Sequence, residues 1–372
     1  MSNDHHRYVA DFRNAEVARK IADRLAARKL ERTVRLMEVC GTHTVAIWKH
    51  GIRQLLPEGI TLLSGPGCPV CVTTNADVDL AIALARRPDV TLATFGDMLK
   101  VPGSYSSLQQ AKAEGAGIRI VYSPLDALRI AQDNPSTSVV FFAVGFETTA
   151  PTIAASVLEA ERQELDNFYI ISVHKLIPPA MKALLDSGEV RIDGFICPGH
   201  VSSIIGARAY EFIANDYGIP CVISGFEPLD VLQSIDMLVA QINERRASVE
   251  IEYSRAVRRE GNKVALELLH RVFEIADADW RGMGILSRSG LKLRPEYSRY
   301  DAEQVFDIDS GPTRDHTGCS CGDVLRGAMT PSDCRLFAKT CTPEHPVGPC
   351  MVSSEGTCSS WYQYGGGTYG IR

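Results

Sequence analysis

The sequence predicts an α/β protein with two similar doubly wound α/β domains and a small loop-rich C-terminal module. Short apolar runs alternate with helical patterns along most of the chain. Such runs, flanked by Gly and Pro, are typical of strands buried on both faces of parallel sheets. From about residue 280, Gly, Pro and Cys become frequent and the periodicity fades, so this tail needs a metal centre or docking to stay folded. The predicted strands are 33–39, 60–63, 90–94, 118–122, 138–144, 168–173, 194–197 and 219–224.

The pattern also places the segment boundaries. Residues 12–30 predict an amphipathic helix, and residues 228–276 predict helix with one highly charged side. The predicted segments are an N-terminal helix at 1–32, α/β domain I at 33–125, α/β domain II at 126–250, and a helical segment with the C-terminal cysteine domain at 251–372.

Two similar strings indicate that the two domains arose by duplication. Cys40-Gly-Thr-His43 follows one strand and Cys197-Pro-Gly-His200 follows another, and each precedes a helical stretch and a strand ending in Ser-Gly. This echo places the functional loops at the carboxyl ends of strands, where open α/β sheets usually bind ligands.

Composition and charge exclude several classes. The 372 residues are 45% hydrophobic and 23% charged, with a net charge of −6; these values are typical of a globular protein without the basic face that nucleic-acid binding needs. The N-terminus is polar and lacks the apolar run of a signal peptide. The most apolar stretch, Val139–Val144, is too short to cross a bilayer. We expect a cytoplasmic protein with no nucleic-acid or membrane partner.

The tail carries the strongest chemical signal. Of 11 cysteines, six lie between Cys319 and Cys358, and such clustering in a large cytosolic chain indicates metal or redox chemistry. Wide spacing without C-x2-C pairs favours a 4Fe-4S cluster over structural zinc, with buried free thiols as the third alternative. Cys321 or Cys350 could replace one ligand. The predicted ligands, spaced C-x14-C-x6-C-x16-C, are Cys319, Cys334, Cys341 and Cys358.

Two further cysteine motifs follow predicted strands. Cys68 and Cys71 form a C-x-x-C pair, close enough for a disulfide, beside a helix predicted to begin near Asn75; such a pair serves disulfide chemistry or metal ligation. Cys40 and His43 could face one metal, or the imidazole could activate the thiol. If the loops meet, three thiols and a histidine share one cleft. We expect Cys197 and Cys221, in contrast, to be buried small residues.

Other polar residues at strand ends carry weaker signals. They are Asp97, Glu147, Thr148, His174, Lys175 and His200. They could line a cleft, but helix capping explains Asp97 and Thr148 nearly as well. No G-x-G-x-x-G or phosphate-loop sequence occurs, so the sequence does not indicate a nucleotide cofactor.

Together these motifs resemble the HypD family of hydrogenase maturation proteins, over about residues 33–364 and in the same order. The strings that carry the resemblance are Cys40-Gly-Thr-His43, Gly65-Pro-Gly-Cys-Pro-Val-Cys71, Thr94-Phe-Gly-Asp-Met98, Gly145-Phe-Glu-Thr-Thr149, Cys197-Pro-Gly-His200 and Cys350-Met-Val-Ser-Ser-Glu-Gly356.

The resemblance implies two α/β domains, a C-terminal 4Fe-4S cluster and a role in assembling the Fe(CN)2CO group of nickel–iron hydrogenases. It implies a HypC-type partner, cyanide from a HypE-type partner, and transfer to the hydrogenase large subunit. Cys40 with His43 would bind or contact Fe(II), Cys68 and Cys71 would be redox thiols and further candidate ligands, and the four tail cysteines would hold the cluster. Whether the chain acts as an enzyme or as an accessory scaffold with dithiol–disulfide activity stays open.

Two other functions fit the motifs. An iron–sulfur-dependent thiol–disulfide oxidoreductase explains the C-x-x-C pair and the tail, but it assigns nothing to Cys40 and His43. A passive metal-binding scaffold needs no redox step at Cys68 and Cys71.

Overall fold

The computed structural model describes residues 11–365. Its strands are β1 Val34–Glu38, β2 Ile60–Ser64, β3 Val90–Thr94, β4 Ile118–Ile120, β5 Ser138–Ala143, β6 Phe168–Ser172, β7 Gly194–Pro198, β8 Cys221–Ser224, β9 Val249–Ile251, β10 Phe273–Trp280 and β11 Gly284–Leu293. Its α-helices are Ala15–Ala27, Gly41–Lys49, Ile52–Leu55, Pro69–Val72, Asn75–Ala85, Leu108–Ala113, Pro124–Asp133, Ala150–Arg162, Ile177–Ser187, Gly199–Ile205, Glu211–Tyr217, Pro228–Asn243, Lys263–Val272, Ala302–Val305, Cys321–Leu325, Pro349–Val352 and Thr357–Tyr364.

Two parallel sheets confirm the predicted α/β class. The first has the order β2-β1-β7-β8-β9 and the second the order β4-β3-β5-β6. Their central strands are buried on both faces: every residue of β7 is buried, and so is all of β5 after Ser138. Continuous apolar runs therefore predicted these strands correctly, since both faces need apolar side chains.

The strand order reverses once in each sheet. In the first sheet the reversal lies between β1 and β7, and in the second between β3 and β5. Loops leave these neighbouring strands in opposite directions, and the crevice between them is the usual ligand site of an open α/β sheet.

The sheets do not follow the predicted boundary at residues 125/126. The chain leaves the first sheet after β2, builds the whole second sheet with β3–β6, and returns with β7–β9. The strings at Cys40–His43 and Cys197–His200 therefore follow two neighbouring strands of one sheet, whereas the predicted segments placed them in two separate domains. Local periodicity identifies strands, whereas their partners depend on distant segments.

One hydrophobic core contains side chains from both sheets, including Met37 and Phe195 from the first and Phe142 and Ile171 from the second. Further cores cover the outer faces of the sheets. The same shared core holds buried cysteines from several parts of the chain, namely Cys68, Cys71, Cys197, Cys221, Cys321 and Cys350.

The ends of the chain differ from the prediction in detail. The N-terminal helix spans Ala15–Ala27, and residues 1–10 of the predicted segment lie outside the described part. Residues predicted as helix to 276 instead include β9 and the start of the antiparallel β10–β11 hairpin. No helix in residues 11–365 is long and apolar enough to cross a membrane.

Candidate functional site

The strand ends of the first sheet bring the predicted loops together. Cys40 follows β1, and the loop containing Cys68 and Cys71 follows the neighbouring β2. The Gly41 N–H donates to the Gly67 carbonyl at 2.9 Å, and a Cβ on Gly67 would lie 2.1 Å from the Cys40 nitrogen. The two loops are therefore in direct backbone contact, which only a glycine at position 67 permits.

Cys40 immediately precedes the helix Gly41–Lys49 and is buried. Burial and the charge of Glu355 raise the pKa of its thiol to about 12, against the smaller opposing effect of backbone N–H groups at the start of the helix. Its own N–H donates to the buried Glu38 carboxyl at 3.0 Å, and burial raises the pKa of Glu38 to about 7. The Cys40 thiol is thus protonated at neutral pH.

Cys68 and Cys71 form a disulfide with their Cα atoms 5.2 Å apart. Both are buried, at the start of the short helix Pro69–Val72. A second helix begins at Asn75, as predicted, behind a capping box formed by Thr74. The two sulfurs are therefore close enough for a disulfide, as the C-x-x-C spacing predicted.

His43 is completely buried one turn after Cys40. Its Nε2 lies 2.9 Å from the Gly225 carbonyl, and burial lowers the pKa of the ring to about 4. The ring is therefore neutral, with the Nε2 proton donated to Gly225. Nδ1 is left as an acceptor without a hydrogen-bond partner among the described residues. Phe226 stacks on His43, with centroids 4.7 Å apart, and also on His200 at 3.9 Å.

The second sheet presents buried polar groups after β5 and β6. Glu147 accepts from the Ile177 N–H at 3.0 Å, while its other oxygen has no partner in the described chain, and burial raises its pKa to about 7. Burial also lowers the pKa of His174 to about 3. Lys175 is 4% exposed and lies 3.3 Å from Asp77. These strand-end residues are part of the packed interior.

Glu355 is a site residue that the sequence analysis did not single out. It accepts a hydrogen bond from the Thr42 hydroxyl at 2.6 Å, and a Cβ on Gly41 would lie 2.6 Å from its Cβ. Its charge acts on Cys40 and on His200. Its place in the Cys350–Gly356 string was the available signal. It ties the cysteine-rich tail directly to the Cys40 loop.

All six tail cysteines line one cavity, together with apolar side chains such as Leu336, Phe337 and Met351. The Cys321 and Cys350 sulfurs lie 2.9 Å apart. The structure therefore brings the four predicted ligands together, but it adds two more thiols to the same lining. The lining cysteines are Cys319, Cys321, Cys334, Cys341, Cys350 and Cys358.

The thiols are arranged as mutual hydrogen-bond partners. Hydrogen-bond contacts with Cys319 and Cys350 hold the pKa of Cys321 well below that of an ordinary thiol, and the same contacts raise the pKa values of Cys319 and Cys350. Within residues 11–365, no group of three or more His, Cys, Asp or Glu side chains is arranged to hold a metal ion.

The disulfide loop also touches the cysteine cavity. The helix Pro69–Val72 packs against the helices Cys321–Leu325 and Pro349–Val352, which carry two of the cavity thiols. Cys197 and Cys221 are fully buried on β7 and β8, which confirms the expectation that they are buried. The Cys40 loop therefore contacts the disulfide loop, and the disulfide loop contacts the cysteine cavity, where the first sheet meets the tail.

This fold and site define a thiol-rich α/β protein with a disulfide placed between a buried cysteine loop and a six-cysteine cavity. A family model described as "Hydrogenase formation hypA family", named HypD, matches residues 15–365. The chain belongs to the HypD family, and this membership supports a role in hydrogenase maturation.

Curated relatives agree over almost the full chain. The hydrogenase maturation factor HypD2 of Bradyrhizobium diazoefficiens is 50% identical, covering 96% of this chain and 97% of its own. HypD of Azotobacter vinelandii is 49% identical, with the same two coverages. HypD of Escherichia coli K12 is 45% identical, covering 96% of this chain and 98% of its own.

Proposed function

We propose that this chain is a scaffold and redox-active thiol protein that helps assemble the Fe(CN)2CO group of nickel–iron hydrogenases. Family membership supports the general role. The observation that carries the finer proposal is the contact of three sulfur regions: the Cys40 loop on the disulfide loop, and the disulfide loop on the cysteine cavity.

The iron is cargo in this proposal, and Cys40 is its first candidate ligand. Because the pKa of the Cys40 thiol is about 12, Fe(II) binding must displace its proton. The Nε2–H of His43 donates to the Gly225 carbonyl, and Nδ1 is kept as an acceptor, the arrangement common among metal-binding histidines. Cys68 and Cys71 become candidate ligands only when reduced.

The second role is redox. Release of cyanide from a thiocyanate-type carrier consumes two electrons, and oxidation of the Cys68 and Cys71 dithiol to the disulfide supplies two. The cysteine cavity fits a thiolate-bound group, since its lining combines cysteines with apolar side chains. A 4Fe-4S cluster there would supply electrons one at a time to restore the dithiol. Its proposed ligands remain Cys319, Cys334, Cys341 and Cys358.

The partners in this proposal are other maturation proteins. A HypC-type chaperone would share the iron, a HypE-type protein would deliver cyanide, and the hydrogenase large subunit would receive the product. The proposed location is the cytoplasm, without nucleic-acid or membrane partners.

The disulfide also favours a second candidate, a general thiol–disulfide oxidoreductase fed by an iron–sulfur cluster. The disulfide is buried beside the cysteine cavity, a position that suits electron transfer from a cluster in that cavity. This function leaves the buried thiol and imidazole of Cys40 and His43 without a role, and reduction of a generic disulfide by the purified chain would support it.

Infrared spectroscopy tests the first proposal. The chain is co-expressed with its HypC-type partner and purified anaerobically. We expect bands in the cyanide and carbonyl stretching region that vanish in Cys40→Ala and persist in Cys197→Ala, whose buried thiol lies on β7. Cyanide assembly should also stop in Cys68→Ser and Cys71→Ser. Absent bands in a sample with intact partner and cluster would favour the oxidoreductase; full assembly in both serine variants would favour a passive scaffold.

A further inference from the structure

The turn of the β10–β11 hairpin lies between the disulfide loop and the cysteine cavity. Arg281, directly after β10, donates its backbone N–H at 3.0 Å to the carbonyl of Val72, the residue that follows the disulfide. Gly282 has φ +76°, and a Cβ there would lie 2.2 Å from the Cα of Gly322 in the helix Cys321–Leu325. The turn therefore contacts both sulfur-bearing regions at once.

The Arg281 side chain is partly buried at this junction, with 12% of it exposed. Its Nε donates to the Thr73 carbonyl at 2.8 Å and one Nη donates to the Asn75 amide oxygen at 2.7 Å. The other Nη lies 3.7 Å from the carboxylate of Asp315, a side chain that is 83% exposed. A positive charge is thus held beside the disulfide loop by backbone and amide oxygens, with a solvent-exposed acid at its edge.

The same side chain faces the cysteine-rich tail. Arg281 and Gly282 line one open cavity together with Cys319 and Cys321. Arg281 therefore lies beside tail cysteines on one side, and its contacts with Val72 and Thr73 place it within two residues of Cys71 on the other side.

We propose that Arg281 is a positioning residue whose charge makes the Cys68–Cys71 disulfide a better electron acceptor. The inference rests on the proposed dithiol–disulfide cycle. Reduction breaks the S–S bond and consumes two electrons and two protons, which gives two thiols. The electrons come singly from a one-electron iron–sulfur donor and the protons from water, so the sulfur pair carries a negative charge after the first electron. The guanidinium stabilises that charge, because Coulomb attraction at a partly buried site is stronger than in bulk water.

The test measures how fast the disulfide is reduced in the full chain. Reduced methyl viologen serves as the one-electron donor, and new thiols at Cys68 and Cys71 are followed by alkylation and mass spectrometry. We expect Arg281→Gln to slow reduction roughly tenfold and Arg281→Lys to retain most of the rate. Asp315→Asn, which removes the neighbouring negative charge, should accelerate it.

Arg326→Gln is the matched control. Arg326 bonds to the Gly282 carbonyl of the same turn, but its charge is paired with Glu189 and Asp323. Equal slowing in Arg281→Gln and Arg326→Gln, without rescue by lysine, would assign Arg281 a structural role and overturn the inference. An unchanged rate in Arg281→Gln would do the same. If that variant does not fold, the absence of acceleration in Asp315→Asn overturns it. A wild-type disulfide that the donor cannot reduce would instead refute the proposed cycle.

Discussion

The Cys40 loop and the tail cavity both bury sulfur, but they hold it in different ways. Cys40 and the disulfide follow neighbouring strands, and backbone contacts through Gly67 fix the distance between their loops. The tail cysteines lie on loops and on helices of eight residues or fewer, and the small core there includes the sulfur-bearing Cys341 and Met351. The sheet fixes its loops by backbone contacts, whereas the tail has only this small core to hold its cysteines.

The two regions are nevertheless coupled. Glu355 from the tail contacts Thr42 and Gly41 in the strand-end loop, and the disulfide helix packs on the tail helices. A change in the tail can therefore reach Cys40 without crossing the sheet.

The largest expected effect is a loss of iron from the tail, and it tests whether the tail, unlike the strand-end loops, needs a bound group. Cys341→Ala should lower the iron retained by the purified chain at least about tenfold and increase amide hydrogen exchange in residues 319–365, because a cavity thiolate is lost. The strands of both sheets should keep their protection. Cys197→Ala, which removes a fully buried cysteine on β7, should retain its iron.

The same measurement on the other five cavity cysteines would sharpen the comparison. We expect iron loss in Cys319→Ala, Cys334→Ala and Cys358→Ala, and retention in Cys321→Ala and Cys350→Ala. Loss in either of the last two, with retention in a predicted ligand, would correct the ligand set. Retention in all six would contradict a thiolate-bound cluster.

A smaller effect tests the rigid contact between the strand-end loops. Gly67→Ala would place a Cβ 2.1 Å from the Cys40 nitrogen, so we expect a loss of about 3–5 kcal/mol in the free energy of unfolding. The control is Gly96→Ala, where the nearest atom would be an Ile120 methyl at 3.4 Å and the change should stay within about 0.5 kcal/mol. Urea unfolding measures both; equal stabilities would show that the loops adjust freely.

The smallest effect concerns the buried acid after β5. Burial raises the folded-state pKa of Glu147 from 4.5 to about 7, so the folded protein binds more protons than the unfolded chain between these values. The stabilising contribution of the protonated group is complete below pH 4.5 and is lost as the pH rises through 7. Glu147→Gln mimics the protonated form at every pH. The free energy of unfolding of the variant, measured against that of wild type, should therefore be about 1–3 kcal/mol more favourable at pH 8 than at pH 5.

Denaturant unfolding at the two pH values measures this gain. The exposed Glu58→Gln, which makes the same chemical change at the surface, is the matched control. An identical pH dependence in Glu147→Gln and wild type would mean that Glu147 is ionised and hydrated in the folded protein.

The sequence predictions were accurate where the pattern depends on residues that are close together in the chain. The run 90–94 matches β3, and the run 138–144 contains β5, because strands buried on both faces consist of apolar residues. The start of the β10–β11 hairpin was missed because the first residues of β10 include the exposed Glu274 and continued the charged pattern predicted as helix to residue 276. Glu355 and Arg281 were missed because isolated charged residues in loops carry no periodic signal.

The sequence by itself determined the α/β class, the position of Cys40 and of the C-x-x-C pair at strand ends, and the crowding of six cysteines in the tail. Only the tertiary structure decided that β1 and β2 join β7–β9 in one sheet, that all six tail cysteines line one cavity, and that Glu355 reaches Thr42 across 313 positions of the chain. Apolar periodicity and residue spacing act over a few residues. Sheet partners, cavities and charge contacts arise between segments that meet only when the cores close.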